Sequence, residues 1–409
     1  MRSYPKYKPS GVDWLGEIPS NWDYTDLKRV IRFAYGDSLS DDNRNGGDIP
    51  VYGSNGIIGF HDKAITKTPC IIVGRKGSYG KINYSEKVCF PIDTSYFIDS
   101  TQTKCNLRWL MYFLSILRLD ENTLDDTVPG LSREWVYKMP ILIPSISEQQ
   151  QIADFLDYKT EQCDRFITNR QKQIELLNEQ KASIINKAVT KGINPNAKMK
   201  ASGIDLIGDV PEHWEIVKLK YVANNLNRQR IPIEEKLRRE MVKKEYDYYG
   251  ATGVIDKVED YLFDETTILI AEDGANLLSR NLQLVFIATG KYWVNNHAHI
   301  LTPKKNCELE FLAFRLENFE YSQLLRGAAQ PKLTKEDLMN IVFPFPEKLE
   351  QKYILDFIKK ETSVIETLIS KYQKQIDLMQ EYRTALISQA VTGKIDVREW
   401  KSKTKEKTS

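Results

Sequence analysis

The residues best suited to chemistry lie in a glycine-spaced loop, Gly74-Arg75-Lys76-Gly77-Ser78-Tyr79-Gly80-Lys81. Three glycines at a spacing of three permit a tight backbone turn, and the cations and hydroxyls between them suit phosphate oxygens and base edges. This is not a nucleotide-phosphate loop. Gly80-Lys81 is followed by Ile82 where Ser or Thr is needed, and neither GxxxxGK[ST] nor HExxH occurs in the chain. His297 and His299 flank Ala298 and would share one face of a strand, but no third metal ligand accompanies them, and a buried or interface role is commoner. Asn194-Pro195 lacks the second proline and the aromatic residue that adenine methyltransferases place at a flipped base. The five cysteines (Cys70, Cys89, Cys105, Cys163, Cys307) form no CxxC pair and read as reduced thiols. No catalytic or metal-binding constellation emerges.

The loop has a counterpart. Ile71–Gly80, IIVGRKGSYG, answers Ile268–Leu277, ILIAEDGANL, at an offset of 197 that aligns Gly77 with Gly274. In the second copy Glu272, Asp273 and Asn276 stand where Arg75, Lys76 and Tyr79 stand in the first. Matched position with unmatched chemistry is what two recognition surfaces with different targets would show. Arg can grip guanine, Asn adenine, and an acid can accept from the cytosine amino group. Two variable surface loops without a ligand fit the spacing equally well, although Glu272-Asp273 before a glycine turn is ordinary.

Other elements repeat around these loops. Tyr52–Ile58 and Tyr249–Ile255 read as hairpins, again at an offset of 197, with Ser54 and Asn55 at one tip and Thr252 at the other. Strand-like alternation follows over Lys87–Ile98 and Leu282–Leu301, then helical stretches over Leu107–Leu119 and Leu309–Leu325. Proline loops come next, Thr127–Ser132 and Ala329–Thr334, the latter bringing Gln330 and Lys332. Each half closes on an apolar strand, Met139–Pro144 or Ile341–Pro346. Ahead of each half, Ser10–Val30 matches Ser202–Val222 at an offset of 192 with nine identities, including Trp22/Trp214; the pattern suggests a turn-rich lead-in with a structural aromatic plug.

After each half comes a long helix. Gln171–Thr190 and Gln373–Thr392 share 10 of 20 residues at an offset of 202. The seam Ile167, Ile174, Leu177, Ile184, Ala188 repeats as Ile369, Ile376, Met379, Leu386, Ala390, with the spacing of an a/d heptad pattern. A lone apolar stripe is marginal in water, so the copies are expected to pack on each other. Ser147 with Gln150 has the form of a capping box, and Gly192 and Gly393 sit where C-terminal caps belong. Compact domains tend to hold their termini close together, which makes the helices antiparallel.

With 409 residues, 41% hydrophobic and 28% charged, the chain suggests several soluble domains. Its net charge of +2 is too small for general attraction to nucleic acid, so contact must come from local patches. No apolar run approaches a membrane span and the N-terminus lacks a signal-peptide core; a cytoplasmic location is expected.

SGxxWLGxIPxxW near the start, EQQQIADFLD at Glu148–Asp157 and the LLxEQKxxIIxxAVT ending, twice and in order, resemble the specificity subunit of type I restriction–modification enzymes. The second half is the weaker match, with Leu206 opposite Trp14 and EQKYILDFI for EQQQIADFL. The resemblance implies an α+β chain: two similar α/β target recognition domains joined by two long antiparallel helices, with an internal pseudo-two-fold repeat. Residues 1–146 and 198–347 would be the recognition domains, 147–197 and 348–400 the spacer helices, and 401–409 a disordered basic tail. Each domain would read half of a bipartite, asymmetric double-stranded DNA site, through Ser54, Asn55, Arg75, Lys76, Ser78, Tyr79 and Lys81 in the first and Thr252, Glu272, Asp273, Asn276, Gln330 and Lys332 in the second. The helices would set the half-site spacing and dock two modification subunits. The chain would hold no cofactor; S-adenosylmethionine, ATP and Mg2+ would sit on the modification and restriction subunits. The rivals from other classes are an adaptor with lectin-like or peptide-binding modules on a coiled-coil arm, and a solitary nuclease.

Overall fold

The computed structural model describes residues 2–121, 130–204, 207–325 and 331–401. The chain divides into two compact units, one formed by Met1–Gln171 with Gln373–Ser409 and the other by Lys172–Tyr372. The long helices α1 (Ile146–Lys191) and α2 (Lys348–Val391) each pass from one unit to the other, so each unit holds one globular body and half of each helix.

Helix α1 begins two residues earlier than the capping box implied. Ser145 Oγ, not Ser147, accepts from the Glu148 amide (3.3 Å) and caps the first turn. Inside that turn the buried Gln149 donates to Pro144 O (2.9 Å) and accepts from the Asn106 amide (2.9 Å). Gln351 repeats both bonds in the second unit, to Pro346 O (2.9 Å) and from the Glu308 amide (2.8 Å). Each glutamine thereby ties the start of a long helix to the start of a short core helix, Leu107–Ser115 or Leu309–Glu317. Those short helices stop before Leu119 and Leu325. Arg118 takes a left-handed φ of 48° after the first, and the Asn318 side chain donates back to Phe314 O (2.9 Å) after the second.

In the first unit the main sheet is antiparallel, with β1 (Ala34–Tyr35), β2 (Cys70–Gly74), β3 (Ile82–Ser85) and β4 (Ser95–Ile98) in the order β1-β4-β2-β3. The second unit repeats it with β5 (Ala223–Asn225), β6 (Thr267–Ala271), β7 (Val285–Ala288) and β8 (Ala298–Pro303) in the order β5-β8-β6-β7. A second sheet in each unit, of three strands in the first and four in the second, holds the hairpin, Ile49–Gly53 with Gly56–His61 or Tyr246–Gly250 with Gly253–Val258. Both hairpins bulge at the same place, Val51/Tyr52 and Tyr248/Tyr249. The continuous alternation expected over Lys87–Ile98 and Leu282–Leu301 is broken into separate strands because these stretches switch between sheets: Phe90–Pro91 pairs in the hairpin sheet and β4 in the main one, while β7 and β8 pair in the main sheet with Lys291–Val294 between them in the hairpin sheet. Incoming and outgoing strands pair antiparallel, Asp23–Asp26 with Pro140–Ile143 and Glu215–Lys218 with Val342–Phe345, so each body returns the chain to where it came in.

The repeated lead-ins clamp helix ends. Trp22 is buried against the end of α2, and Gly393 there has φ 71°; a Cβ on it would lie 2.5 Å from the Pro19 ring. Lys394 Nζ donates to Leu15 O (2.8 Å) and Glu17 O (2.6 Å). In the second unit Trp214 is buried at the end of α1, beside Gly192, and Lys191 Nζ donates to Ile207 O and Asp209 O, which lie 192 residues after Leu15 and Glu17. The structural reading of both tryptophans is therefore the right one.

Within each unit the helix halves run antiparallel. In the first, Arg383 pairs with Asp164 (3.1 Å) while Phe155, earlier in α1, meets Trp400, later in the chain. In the second, Lys181 pairs with Glu366 (2.6 Å), and Ile185, Ala188 and Val189 share a core with Ile354 and Ile358. The two ion pairs are repeats of each other, since 181 + 202 = 383 and 164 + 202 = 366. Ile376 and Leu386 are buried in the seam and Ile167, Ile174, Leu177, Ile184, Ile369 and Met379 half-buried. Thr160, Cys163, Arg170 and Lys181 fill other seam positions at the same spacing, so the seam is mixed rather than purely apolar.

Candidate nucleic-acid interface

In the first unit β2 runs directly into the loop 75–81. Gly74 allows the loop to fold onto the hairpin tip: a Cβ there would sit 2.2 Å from Ser78 O and 2.9 Å from Ser54 O. Lys81 Nζ donates to Asn55 Oδ1 (2.6 Å), so Ser54, Asn55, Gly77 and Lys81 are gathered at one place. Lys76 and Ser78 are exposed, and Tyr79 leans into the core. Leu131 N donates to Arg75 O (2.9 Å), bringing the segment after the proline loop alongside.

Arg75 is braced by groups that no motif marked. Its guanidinium lies 5.1 Å from the Tyr35 ring and 5.8 Å from that of Tyr96, and Nη1 donates to Asp93 O (3.0 Å). Arg133 also lies over Tyr35 (5.5 Å) and over Tyr137 (5.8 Å). Phe33 stacks on both Tyr96 (5.1 Å) and Tyr137 (5.7 Å), which fixes the rings from below. Tyr35 is 50% exposed, so a ligand can reach it. No ion pair within 4.0 Å joins Arg75, Lys76 or Lys81 to a carboxylate among the described residues. Among the described residues this is a cationic, aromatic surface. A guanidinium held flat on a ring keeps a donor fork pre-organised, and an exposed ring can stack a base.

The same corner of the second unit is built differently. Tyr96 pairs with Val73 across the sheet and His299 with Ile270, and 73 + 197 = 270, so His299 occupies the place of Tyr96. His299 is buried. Its Nε2–H donates to Leu333 O (2.8 Å), which leaves Nδ1 to accept from the Asn227 amide (2.7 Å); Asn227 Oδ1 in turn accepts from the Ile300 amide (3.0 Å). Burial also holds this imidazole below its usual value, consistent with a neutral ring. Beside it Glu272 is buried and bonded to Arg230, with Lys332 Nζ at 3.3 Å. Burial alone would raise the Glu272 carboxyl, but the Arg230 bond and Lys332 outweigh it and leave it below the usual range. Arg230 is further held by Asn296 O (3.2 Å) and Ala298 O (2.8 Å).

These bonds correct two expectations. Glu272 is not an open acceptor for a base, because its carboxylate is buried in this network. Asn276 is not free to read adenine, because its side chain donates to Leu282 O (2.9 Å) and accepts from the Leu282 amide (2.8 Å), closing its own loop. Asp273 pairs with His297 (2.8 Å), which precedes β8 and is half exposed. His297 and His299 thus point to different partners, and no metal-binding group of three or more His, Cys, Asp or Glu exists among the described residues. Thr252 is exposed at its hairpin tip, Lys332 joins the network through a bridge to Asp273, and Gln330 lies outside the described residues. Tyr35, Tyr96 and Arg133 carried no local sequence signal; Arg230 is one of several cations between Val222 and Tyr249, where the growth of the repeat offset from 192 to 197 marks five added residues.

The profile of the type I restriction modification DNA specificity domain matches residues 19–176 and again 211–378. The chain belongs to that family. The specificity subunit is the non-catalytic, DNA-recognising component of a type I restriction–modification system. The type I restriction enzyme MjaIX specificity subunit of Methanocaldococcus jannaschii is 24% identical over 94% of this chain and 96% of that one. The MjaVIII specificity subunit of the same organism is 27% identical over 70% and 71%. A Haemophilus influenzae chain described as a specificity subunit is 36% identical, but the match spans 36% of this chain and 37% of that one. A chain from a solved structure on complex assembly and conformational transition of the type I R-M system covers 92% of this chain and 99% of its own at 14% identity, with a TM-score of 0.65, which shows a shared fold.

Proposed function

We propose that each unit reads one half of a bipartite, asymmetric DNA site at the corner where β2 or β6 ends. The observation that carries this is one structural position built twice with opposite chemistry: Arg75 braced by Tyr35 and Tyr96 in the first unit, Glu272 with Arg230, Lys332 and the neutral His299 in the second. In the first unit Arg75, Arg133, Lys76, Ser78, Lys81, Ser54 and Asn55 face the duplex. In the second, Asp273 with His297, Lys332 and Thr252 do so, and Glu272 and Arg230 shape that surface from beneath. The paired helices space the half-sites and dock two modification subunits that methylate adenine N6. S-adenosylmethionine, ATP and Mg2+ belong to those modification and restriction subunits, and the complex works in the cytoplasm.

Binding of the full chain to mixed-sequence duplex across a salt series tests the reading. A DNA reader loses affinity steeply, with a slope of about 0.9 per phosphate contact. Absent or salt-insensitive binding would favour an adaptor for peptides or sugars, and metal-dependent nicking by the isolated chain would favour a nuclease.

A further inference from the structure

Arg315 is a buried cation with no ion-pair partner among the described residues. It lies on the core helix Leu309–Glu317 and is 2% exposed, in a position where the first unit has the buried Phe113 (113 + 202 = 315). Its Nε has no hydrogen-bond partner among the described residues, and its guanidinium lies over Phe343 (5.6 Å). No carboxylate among the described residues lies within 4.0 Å of it. Burying an uncompensated charge is among the more expensive things a fold can do, and an apolar residue serves the same position in the sister unit.

The guanidinium opens onto a cavity of about 220 Å³, walled by Arg315, Thr190, Lys191, Ile204, Asn318 and Glu320 among others. Several of the other polar groups on this wall are already satisfied. Thr190 donates to Asn186 O (2.6 Å), Asn318 to Phe314 O (2.9 Å), and Lys191 to Ile207 O and Asp209 O. The Glu320 carboxylate accepts from the Ser322 amide (3.0 Å). Among the described residues what remains is the Arg315 cation, with a second, Lys191, on the same wall. The volume admits a group of a few heavy atoms with some water, at ~30 Å³ per water, and is well below what a nucleotide requires.

We infer that this cavity is a binding site for a small oxoanion, held by Arg315 with Lys191 behind it. Phosphate and carboxylate share the chemistry, the latter as a free acid or as an Asp or Glu side chain of a docked partner. Burial pushes the Arg315 guanidinium down to about 10, which still leaves it charged at neutral pH and ready for an anion. The site is independent of the DNA-reading corner.

The test is thermal unfolding of the full chain in sodium phosphate, in sodium acetate and in sodium chloride at matched ionic strength. Phosphate or acetate should raise Tm over chloride by about 3 °C once the anion is some tenfold above its dissociation constant. Arg315→Met should abolish the difference, while the double variant Arg75→Ala/Lys81→Ala should keep it. A response to phosphate alone assigns a phosphate site and a response to acetate alone a carboxylate site; both uphold the inference. No response in the natural chain, or an equal response in Arg315→Met, overturns it. Should Arg315→Met fail to fold, tungstate soaked into crystals of the natural chain gives the answer: anomalous density between Arg315 and Lys191 supports the site, and a peak elsewhere or none refutes it.

Discussion

Replacing Arg75 with alanine separates recognition from folding. The substitution removes two ring contacts, at 5.1 and 5.8 Å, and one hydrogen bond to Asp93 O at 3.0 Å. At about 0.5–1 kcal/mol per exposed cation–π contact and about 1 kcal/mol for the bond, the fold loses at most about 3 kcal/mol. Part of that is recovered because the side chain is only half-buried, so the unit should remain folded. A bidentate contact to guanine is worth about 1–3 kcal/mol of discrimination, which is about 5- to 150-fold. Arg75→Lys keeps the charge but not the planar fork, so it should lose sequence preference while keeping most nonspecific affinity. The assay is selection from a randomised duplex pool by the full chain with its modification partners, read half-site by half-site, with circular dichroism melting as a control for folding. Arg75→Ala should relax the first half-site and leave the second intact. If Arg75 touches only phosphate, affinity falls evenly across sequences and the salt slope drops by about 1. A folded variant with unchanged preference in both halves would refute the assignment.

Three further outcomes follow from the geometry. Glu272 sits below its ordinary value of 4.5, so it adds stability above that pH that is lost as pH falls through its lowered folded value; Glu272→Gln should cost about 2 kcal/mol at pH 7 by leaving Arg230 unpaired and should flatten the acid loss, and equal urea midpoints at pH 7 would contradict the network. Gly393→Ala should destabilise more than Gly192→Ala in thermal unfolding: both need a left-handed backbone, at about 1–2 kcal/mol, but only at Gly393 would the Cβ meet a ring at 2.5 Å, against 3.3 Å from Trp214 at Gly192. A four-residue turn inserted between Ile167 and Ile184, with its partner between Ile369 and Leu386, adds about 6 Å of rise; the gap in methylated sites should widen by one to two base pairs at ~3.4 Å each, and an unchanged gap would show that the helices are not the ruler.

Much of the framework was legible because it is written twice. The seam positions, the Trp22/Trp214 plugs and the hairpins recur at offsets of 202, 192 and 197 and the cap glycines at 201, and a recurring pattern filters out chance. Less legible was which helix end each lead-in clamps, because the lead-in 10–30 packs on α2, far away in sequence, and only the fold brings Lys394 to Leu15. The Ser145 cap was missed because the sequence offered two serines two residues apart, and hydrogen-bond geometry decided between them. At the candidate site the loop positions were readable but side-chain availability was not. Glu272 and Asn276 have types that suit base reading, yet Arg230 and the Leu282 backbone occupy them. Tyr35, Tyr96 and Arg133 come from separate elements and meet Arg75 only in three dimensions.

The central claim is that two units of one chain read two separate halves of one DNA site. Its most direct test is base-resolution mapping of methylated adenines in cells carrying the natural chain, no chain, or the chain with Arg75→Ala. The account predicts a two-part motif with a nonspecific gap that vanishes without the chain, and that in the variant loses definition only in one half. An uninterrupted motif, a motif that persists without the chain, or equal loss of definition in both halves would contradict it.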